Sequence, residues 1–191
     1  MAQSSVISNR VTGSNGLGRN GAGLCNENAT SRVQNCLLWG NLADNTDGIG
    51  SGAGLYAVSG LLTLDNCTVA NNSWQGLKRV GGTVAVTNSI IWGNGDDLTG
   101  VISVAYSDIQ TPDTFWTNGI NGCISADPKF VNPSMGDFTL GRGSPCLHAG
   151  LTQSGMQFAF DLAGNKRLLG PSVDMGAYET PVTYGTVFIL H

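Results

Sequence analysis

Short runs of this chain alternate inward-type and outward-type residues with a period of two. Ser31-Arg32-Val33, Leu62-Thr63-Leu64, Val84-Ala85-Val86 and Ile102-Ser103-Val104 share that pattern. Such alternation predicts short strands whose first and third residues turn toward a core. A second run follows each of the first three: Cys36-Leu37-Leu38-Trp39, Cys67-Thr68-Val69-Ala70 and Ser89-Ile90-Ile91-Trp92. Here Cys36/Leu38, Cys67/Val69 and Ser89/Ile91 form the small or apolar column that faces inward, and Thr68 marks the other column as outward. No helical period of three to four persists at useful length.

The runs recur in a fixed register. Gly21 maps to Gly52, Leu24 to Leu55, Asn35 to Asn66, Cys36 to Cys67 and Asn41 to Asn72, each at a shift of 31. Asn66 to Asn88 and Asn72 to Asn94 are shifts of 22, and Val84 to Ile102 is 18. Matched blocks separated by insertions mark repeats that stack on one another. Strands at the same place in successive units, with no room for crossover helices, predict an all-β parallel β-helix with neighbouring strands about 4.8 Å apart. Asn35, Asn66 and Asn88 then form a ladder at a turn, ending at Tyr106, whose amides satisfy backbone groups that no sheet bond reaches. The insertions at 44–50 and 73–80 read as loops. From about Thr111, Pro and Gly density breaks the period. Residues 1–110 are therefore expected to form the coils, and 111–191 an irregular C-terminal cap over the last coil. Val6-Ile7-Ser8-Asn9 matches Leu38-Trp39-Gly40-Asn41, so the chain starts mid-repeat. An open first coil predicts self-association through residues 1–30.

Composition narrows the partners. Charged residues are only 12% of 191, while Gly numbers 28, which favours tight turns over solvated helices. A net charge of −4, with nine scattered Lys and Arg, argues against nucleic acid. No stretch of 18 apolar residues offers a membrane span. The start, MAQSSVISNR, lacks the charged and apolar regions of a signal peptide. The cysteines, Cys25, Cys36, Cys67, Cys123 and Cys146, have no zinc spacing. Cys36 and Cys67 are expected to stay reduced, stacked as small buried groups. No cofactor and no metal are called for.

Candidate chemistry is sparse. Trp39 and Trp92 share an outward column with Ala70 between them, two strand steps or about 10 Å apart. They read as a ligand-binding pair stacking on sugar rings over a shallow depression, or as rings covered by inserted loops. Glycoside hydrolysis needs two acids about 5–10 Å apart, and Asp44, Asp47, Asp65, Asp96 and Asp97 are the acids of the repeats. None repeats in a column, and Asp96-Asp97 reads as a turn. Lys78-Arg79, on a predicted loop, suits a lyase, but no acidic calcium spacing accompanies it. His148 and His191 stand alone, and the catalytic residues are unknown.

The repeats resemble right-handed parallel β-helix families of bacterial secreted and surface proteins, including polymorphic outer-membrane proteins. Gly-Ala-Gly-Leu and the strings Leu38-Trp-Gly-Asn41 and Ile91-Trp-Gly-Asn94 carry that resemblance. DPKFVNPSMGDFTLGRGSPCLHAG (127–150), DLAGNKR (161–167) and VDMGAYE (173–179) resemble the terminal region of choice-of-anchor Q domain proteins. His148 stands where that family usually has Asp. The resemblance implies an extracellular or cell-surface location. It implies turn-capping roles for Asp127, Asp137, Asp161 and Asp174, and, in that oxidising setting, a disulfide between Cys123 and Cys146, which flank the terminal motif. The expectation is a non-catalytic module for adhesion or carbohydrate contact. The alternative is a fragment of a carbohydrate-active enzyme, a glycoside hydrolase or polysaccharide lyase.

Overall fold

Seventeen strands and two single 3₁₀ turns make up the described part of a computed structural model, which covers residues 1–11, 21–43, 52–111 and 118–181. The strands are β1 (Ser5–Ile7), β2 (Arg10–Val11), β3 (Leu24–Asn26), β4 (Ala29–Gln34), β5 (Leu37–Trp39), β6 (Leu42–Ala43), β7 (Leu55–Ala57), β8 (Gly60–Asp65) and β9 (Thr68–Ala70). They continue with β10 (Gln75–Arg79), β11 (Thr83–Thr87), β12 (Ile90–Trp92), β13 (Asp96–Thr99), β14 (Ser103–Ala105), β15 (Asp108–Ile109), β16 (Phe130–Asn132) and β17 (Asp137–Leu140). The protein is all-β, and its main sheets are parallel.

Each repeat gives one strand to each of three sheets, always in the same order. The first sheet holds β3, β7, β10 and β13; the second β4, β8, β11 and β14; the third β1, β5, β9, β12 and β15. Pairing is parallel and in register: Leu62 lies between Ser31 and Val84, and Val69 between Leu38 and Ile91. The three sheets share one core. Leu62, Leu64, Val84, Val86, Ile102 and Val104 from the second sheet meet Leu55, Leu77 and Leu98 from the first and Leu38, Val69, Ile91 and Ile109 from the third. The six alternating residues of the second sheet are buried, as their period predicts, each worth about 1.5–3 kcal/mol.

Residues 73–80 are not a loop. They contain β10, which pairs with β7 and β13. The missed signal is a third Gly-Leu: Gly23-Leu24, Gly54-Leu55 and Gly76-Leu77 hold equivalent places. The glycine is demanded by packing, since a Cβ at Gly54 would lie 2.2 Å from the carbonyl oxygen of Gly76. Asp96 and Asp97 likewise begin β13 rather than a turn, and Asp97 pairs opposite the Gly76 position. The insertion at 44–50 lies outside the described residues.

The turn between the second and third sheets is a single left-handed residue, Asn35, Asn66, Asn88, Tyr106 and Asn121 in succession, with φ of 50°, 52°, 52°, 48° and 51°. Asparagine tolerates this region better than most residues. The position therefore continues past Tyr106, which interrupts the amides before Asn121 restores one.

A different asparagine file runs inside the turn after the third sheet. Asn9 donates its backbone and side-chain N–H groups to Asn41 Oδ1, Asn41 to Asn72 Oδ1, Asn72 to Asn94 Oδ1, and Asn94 to Asp97 Oδ1. The second side-chain proton of Asn41, Asn72 and Asn94 goes back to a strand carbonyl, that of Val6, Leu38 and Val69. Every buried polar atom of the file is thus used.

The C-terminal region first passes over the last repeat, where the Tyr106 N–H donates to the Asn121 carbonyl at 2.8 Å and the Ile124 N–H to the Ser107 carbonyl at 2.9 Å. One bridge, Asp108 to Ile124, extends the stack, and the chain then runs back along the outer face of the third sheet toward β1. Leu37, Ala70 and Ile90 point outward there, and an apolar outer face must be covered. The β16–β17 hairpin supplies Phe138 and Leu140 for that purpose.

Candidate functional site

Trp39 and Trp92, the pair expected to stack on sugar rings, lie under this covering segment. Trp39 packs edge-on against Phe138, with ring centroids 5.6 Å apart, and Phe138 packs edge-on against Phe130 at 5.0 Å. Gly136, at φ 81°, closes the hairpin so near Trp39 that a Cβ there would lie 2.6 Å from the indole. Trp92 is half-buried among Ile90, Leu140, Cys146 and Met175. Ala70 is fully buried beneath Phe138. The depression expected between the indoles is therefore filled, by the C-terminal region rather than by inserted loops.

Cys123 and Cys146 are not joined; all five cysteines are free thiols. The reason is positional. Ser4, Cys36, Cys67, Ser89, Ser107 and Cys123 occupy one column at the start of successive third-sheet segments. Each hydroxyl or thiol points to the carbonyl two residues back, at 2.9 Å for Ser89 and 2.8 Å for Ser107. Cys123 is committed to this interior column. Cys146 sits on the opposite, outer side of the sheet, where its thiol donates to Asp108 Oδ2 at 3.0 Å. Burial pushes the Asp108 carboxyl up to about 6 and the Cys146 thiol up well beyond its ordinary range.

The turn asparagines hold the covering segment. Asn35 Nδ2 donates to the Phe160 carbonyl at 2.9 Å, and Asn88 exchanges bonds with Leu151, 2.9 Å out and 2.6 Å in. Asn66 Oδ1 accepts from Arg167 Nη2 at 2.7 Å. Thr68 Oγ1 accepts the Ala177 N–H at 3.0 Å. The amides expected to serve the turn thus reach sideways into the C-terminal chain.

Arg167 is the centre of a buried polar knot that sequence reasoning missed. It is fully buried, donates to the carbonyls of Asp174 and Gly176, and lies 3.6 Å from Glu179 Oε2. Burial, then the Asp174 carboxylate, pushes Glu179 up to about 8, against the pull of Arg167. His148, Asp174 and Glu179 bring potential metal-ligand atoms within 4.8 Å of one another. Yet Asp174 already accepts the N–H groups of His148 and Thr180, and both Glu179 oxygens face the Asp174 N–H. With a guanidinium beside them, these groups tie the chain to itself. Asp127, Asp137 and Asp161 do the same for Lys129, Thr139, Asn165 and Glu179. His148, at φ 53°, is a turn residue.

The remaining candidates scatter. Asp65 pairs with Arg32 at 2.9 Å on the outer face of the second sheet. Asp97 ends the asparagine file, and its second oxygen takes the Thr111 N–H at 3.0 Å. Arg79 donates to the Gly82 carbonyl. Lys78 lies beside Tyr56 and Thr99 in an outward row of the first sheet that also includes exposed Cys25. Asp44, Asp47 and His191 lie outside the described residues. No helix among the described residues is long and apolar enough to cross a membrane. No family model, curated protein or solved structure matches this chain.

Proposed function

We propose that the chain is a right-handed parallel β-helix acting as a non-catalytic, extracellular module of a bacterial surface or secreted protein of the choice-of-anchor Q type, contacting carbohydrate through a sheet face. The observation that carries this reading is the use of the buried carboxylates. Asp97, Asp108, Asp161, Asp174 and Glu179 each accept a backbone N–H. A glycosidase needs two acids with oxygens free for the glycosidic bond and for water or the anomeric carbon. Here those oxygens hold the fold together.

Tyr56 is the natural contact for a sugar ring, half-buried and flanked in register by Cys25 and Lys78 on the outer face of the first sheet. Its ring offers the flat apolar surface that a pyranose face needs, with a hydroxyl at the edge. A glycan array run beside a polysaccharide degradation screen tests the reading. Binding without depolymerisation, lost in Tyr56→Ala, supports it. Depolymerisation of any array hit overturns it.

A further inference from the structure

Cys36 and Cys67 stand at one position in consecutive repeats. Leu37 pairs with Thr68 and Leu38 with Val69 in parallel register, so the two cysteines are neighbours across β5 and β9, about 4.8 Å apart along the stack. Both are fully buried in the shared core. The Cys36 thiol donates to the Gln34 carbonyl at 3.0 Å, and the Cys67 thiol faces the carbonyls of Asp65 at 3.3 Å and Val33 at 3.4 Å. We propose that Cys36 and Cys67 form an oxidisable dithiol that closes into a disulfide between neighbouring repeats.

The stack spacing falls inside the Cα separations that disulfides span, about 4.4–6.8 Å, and closure needs the two Cβ atoms to approach by a further few tenths of an ångström. Closing it orphans neither carbonyl. Gln34 O also accepts the Gln3 N–H at 3.0 Å, and Asp65 O the Asn35 N–H at 3.1 Å. The product is neutral, so the apolar core does not penalise it as it would a thiolate. The column offers no second such pair, since Cys67 is followed by Ser89, and Cys123 is preceded by Ser107.

The two thiols divide the chemistry. The neighbouring Cys67 side chain lowers the Cys36 thiol, whereas burial raises Cys67. Cys36 is then the sulfur that attacks a peroxide, breaking the O–O bond to give a sulfenic acid and one water after protonation. The Cys67 sulfur displaces the second water from that sulfenic acid and forms the S–S bond. Two thiols and one hydrogen peroxide become one disulfide and two waters. Ser4 lies over Cys36 in the stack, with its carbonyl accepting the Leu37 N–H at 3.1 Å, and it leads into β1, three residues long with Ser5 and Ile7 exposed. Local opening of so short a strand is enough to admit the oxidant.

The test uses the full chain with Cys25→Ser, which removes the exposed thiol. Folded protein is treated with hydrogen peroxide and measured by intact mass before alkylation and by non-reducing peptide mapping after it. The expected result is a loss of ~2 Da, one peptide pair linking Cys36 to Cys67, and reversal by dithiothreitol. In Cys67→Ser the same treatment leaves a sulfenic acid on Cys36 that dimedone captures. That variant keeps the fold by circular dichroism, because Ser4, Ser89 and Ser107 already occupy the column. A linked peptide containing Cys123 or Cys146 overturns the proposal. So does the absence of mass loss in the folded chain when the urea-unfolded chain shows it.

Discussion

Asn94 donates its side-chain amide to Asp97 Oδ1 at 3.0 Å, and with that bond a file of asparagines ends on an acid. Asp97 occupies the place that glycine holds in the preceding repeats, so its side chain fills the space where the next asparagine would stand. Asp97→Ala removes the acceptor for Asn94 and for the Thr111 N–H. Orphaned buried donors cost about 1–3 kcal/mol each. We expect a loss of about 3 kcal/mol, read as a lower urea midpoint at unchanged slope. Asp97→Asn keeps the oxygen toward Asn94 and costs about 1 kcal/mol.

Phe138 fastens the C-terminal region to the third sheet through Trp39, Phe130, Leu37 and Ala70. Phe138→Ala removes a fully buried ring and is expected to cost about 3–5 kcal/mol. It also uncovers Trp39, so tryptophan emission shifts to longer wavelength in the folded variant. An unchanged spectrum means that the indole is shielded by something else.

Stability falls as pH rises through the neutral range. Burial raises Asp97, Asp108 and Glu179 above their ordinary values, Asp108 to about 6 and Glu179 to about 8. The folded chain therefore binds these protons more tightly than the unfolded chain does. Their contribution is full below the ordinary carboxyl range and is lost as pH climbs through each folded value. Melting temperature is expected to decline between about pH 4.5 and 8. Glu179 is faced by Arg167, Asp174 and Asp161. Glu179→Gln should flatten the upper half of that decline.

Freshly purified, fully reduced protein should titrate as five thiols after unfolding, with no Cys123–Cys146 peptide in a non-reducing digest. Cys123→Ser should be nearly neutral, because serine already fills that column at Ser89 and Ser107. Cys146→Val should cost more, since Asp108 Oδ2 then loses its thiol donor in a buried place.

The strands were legible where alternation was strong. Leu62-Thr63-Leu64 and Val84-Ala85-Val86 declare a core face by period alone, and their burial follows. β10 escaped because Gln75-Gly76-Leu77-Lys78-Arg79 offers one large apolar residue, and its glycine is set by a neighbouring carbonyl rather than by any turn. The covering of the third sheet was written in Leu37 and Ile90, apolar residues in the outward column, but which segment covers them depends on contacts more than 100 positions apart, such as Thr68 with Ala177. Arg167 and Glu179 gave no local sign of burial, because the partners that neutralise them come from three separate stretches of chain.

The asparagine file has a direction. Each member from Asn9 to Asn94 gives protons to the next and passes the same demand along, and Asp97 accepts without passing anything on. It works as a full stop in a sentence of like words. A duplicated repeat spliced in anywhere before Asn94 would find a donor on one side and an acceptor on the other. The same repeat added after Asp97 would meet a carboxylate where the file needs an amide proton, so the file stops at its punctuation even though the strands run on past it to Ile124.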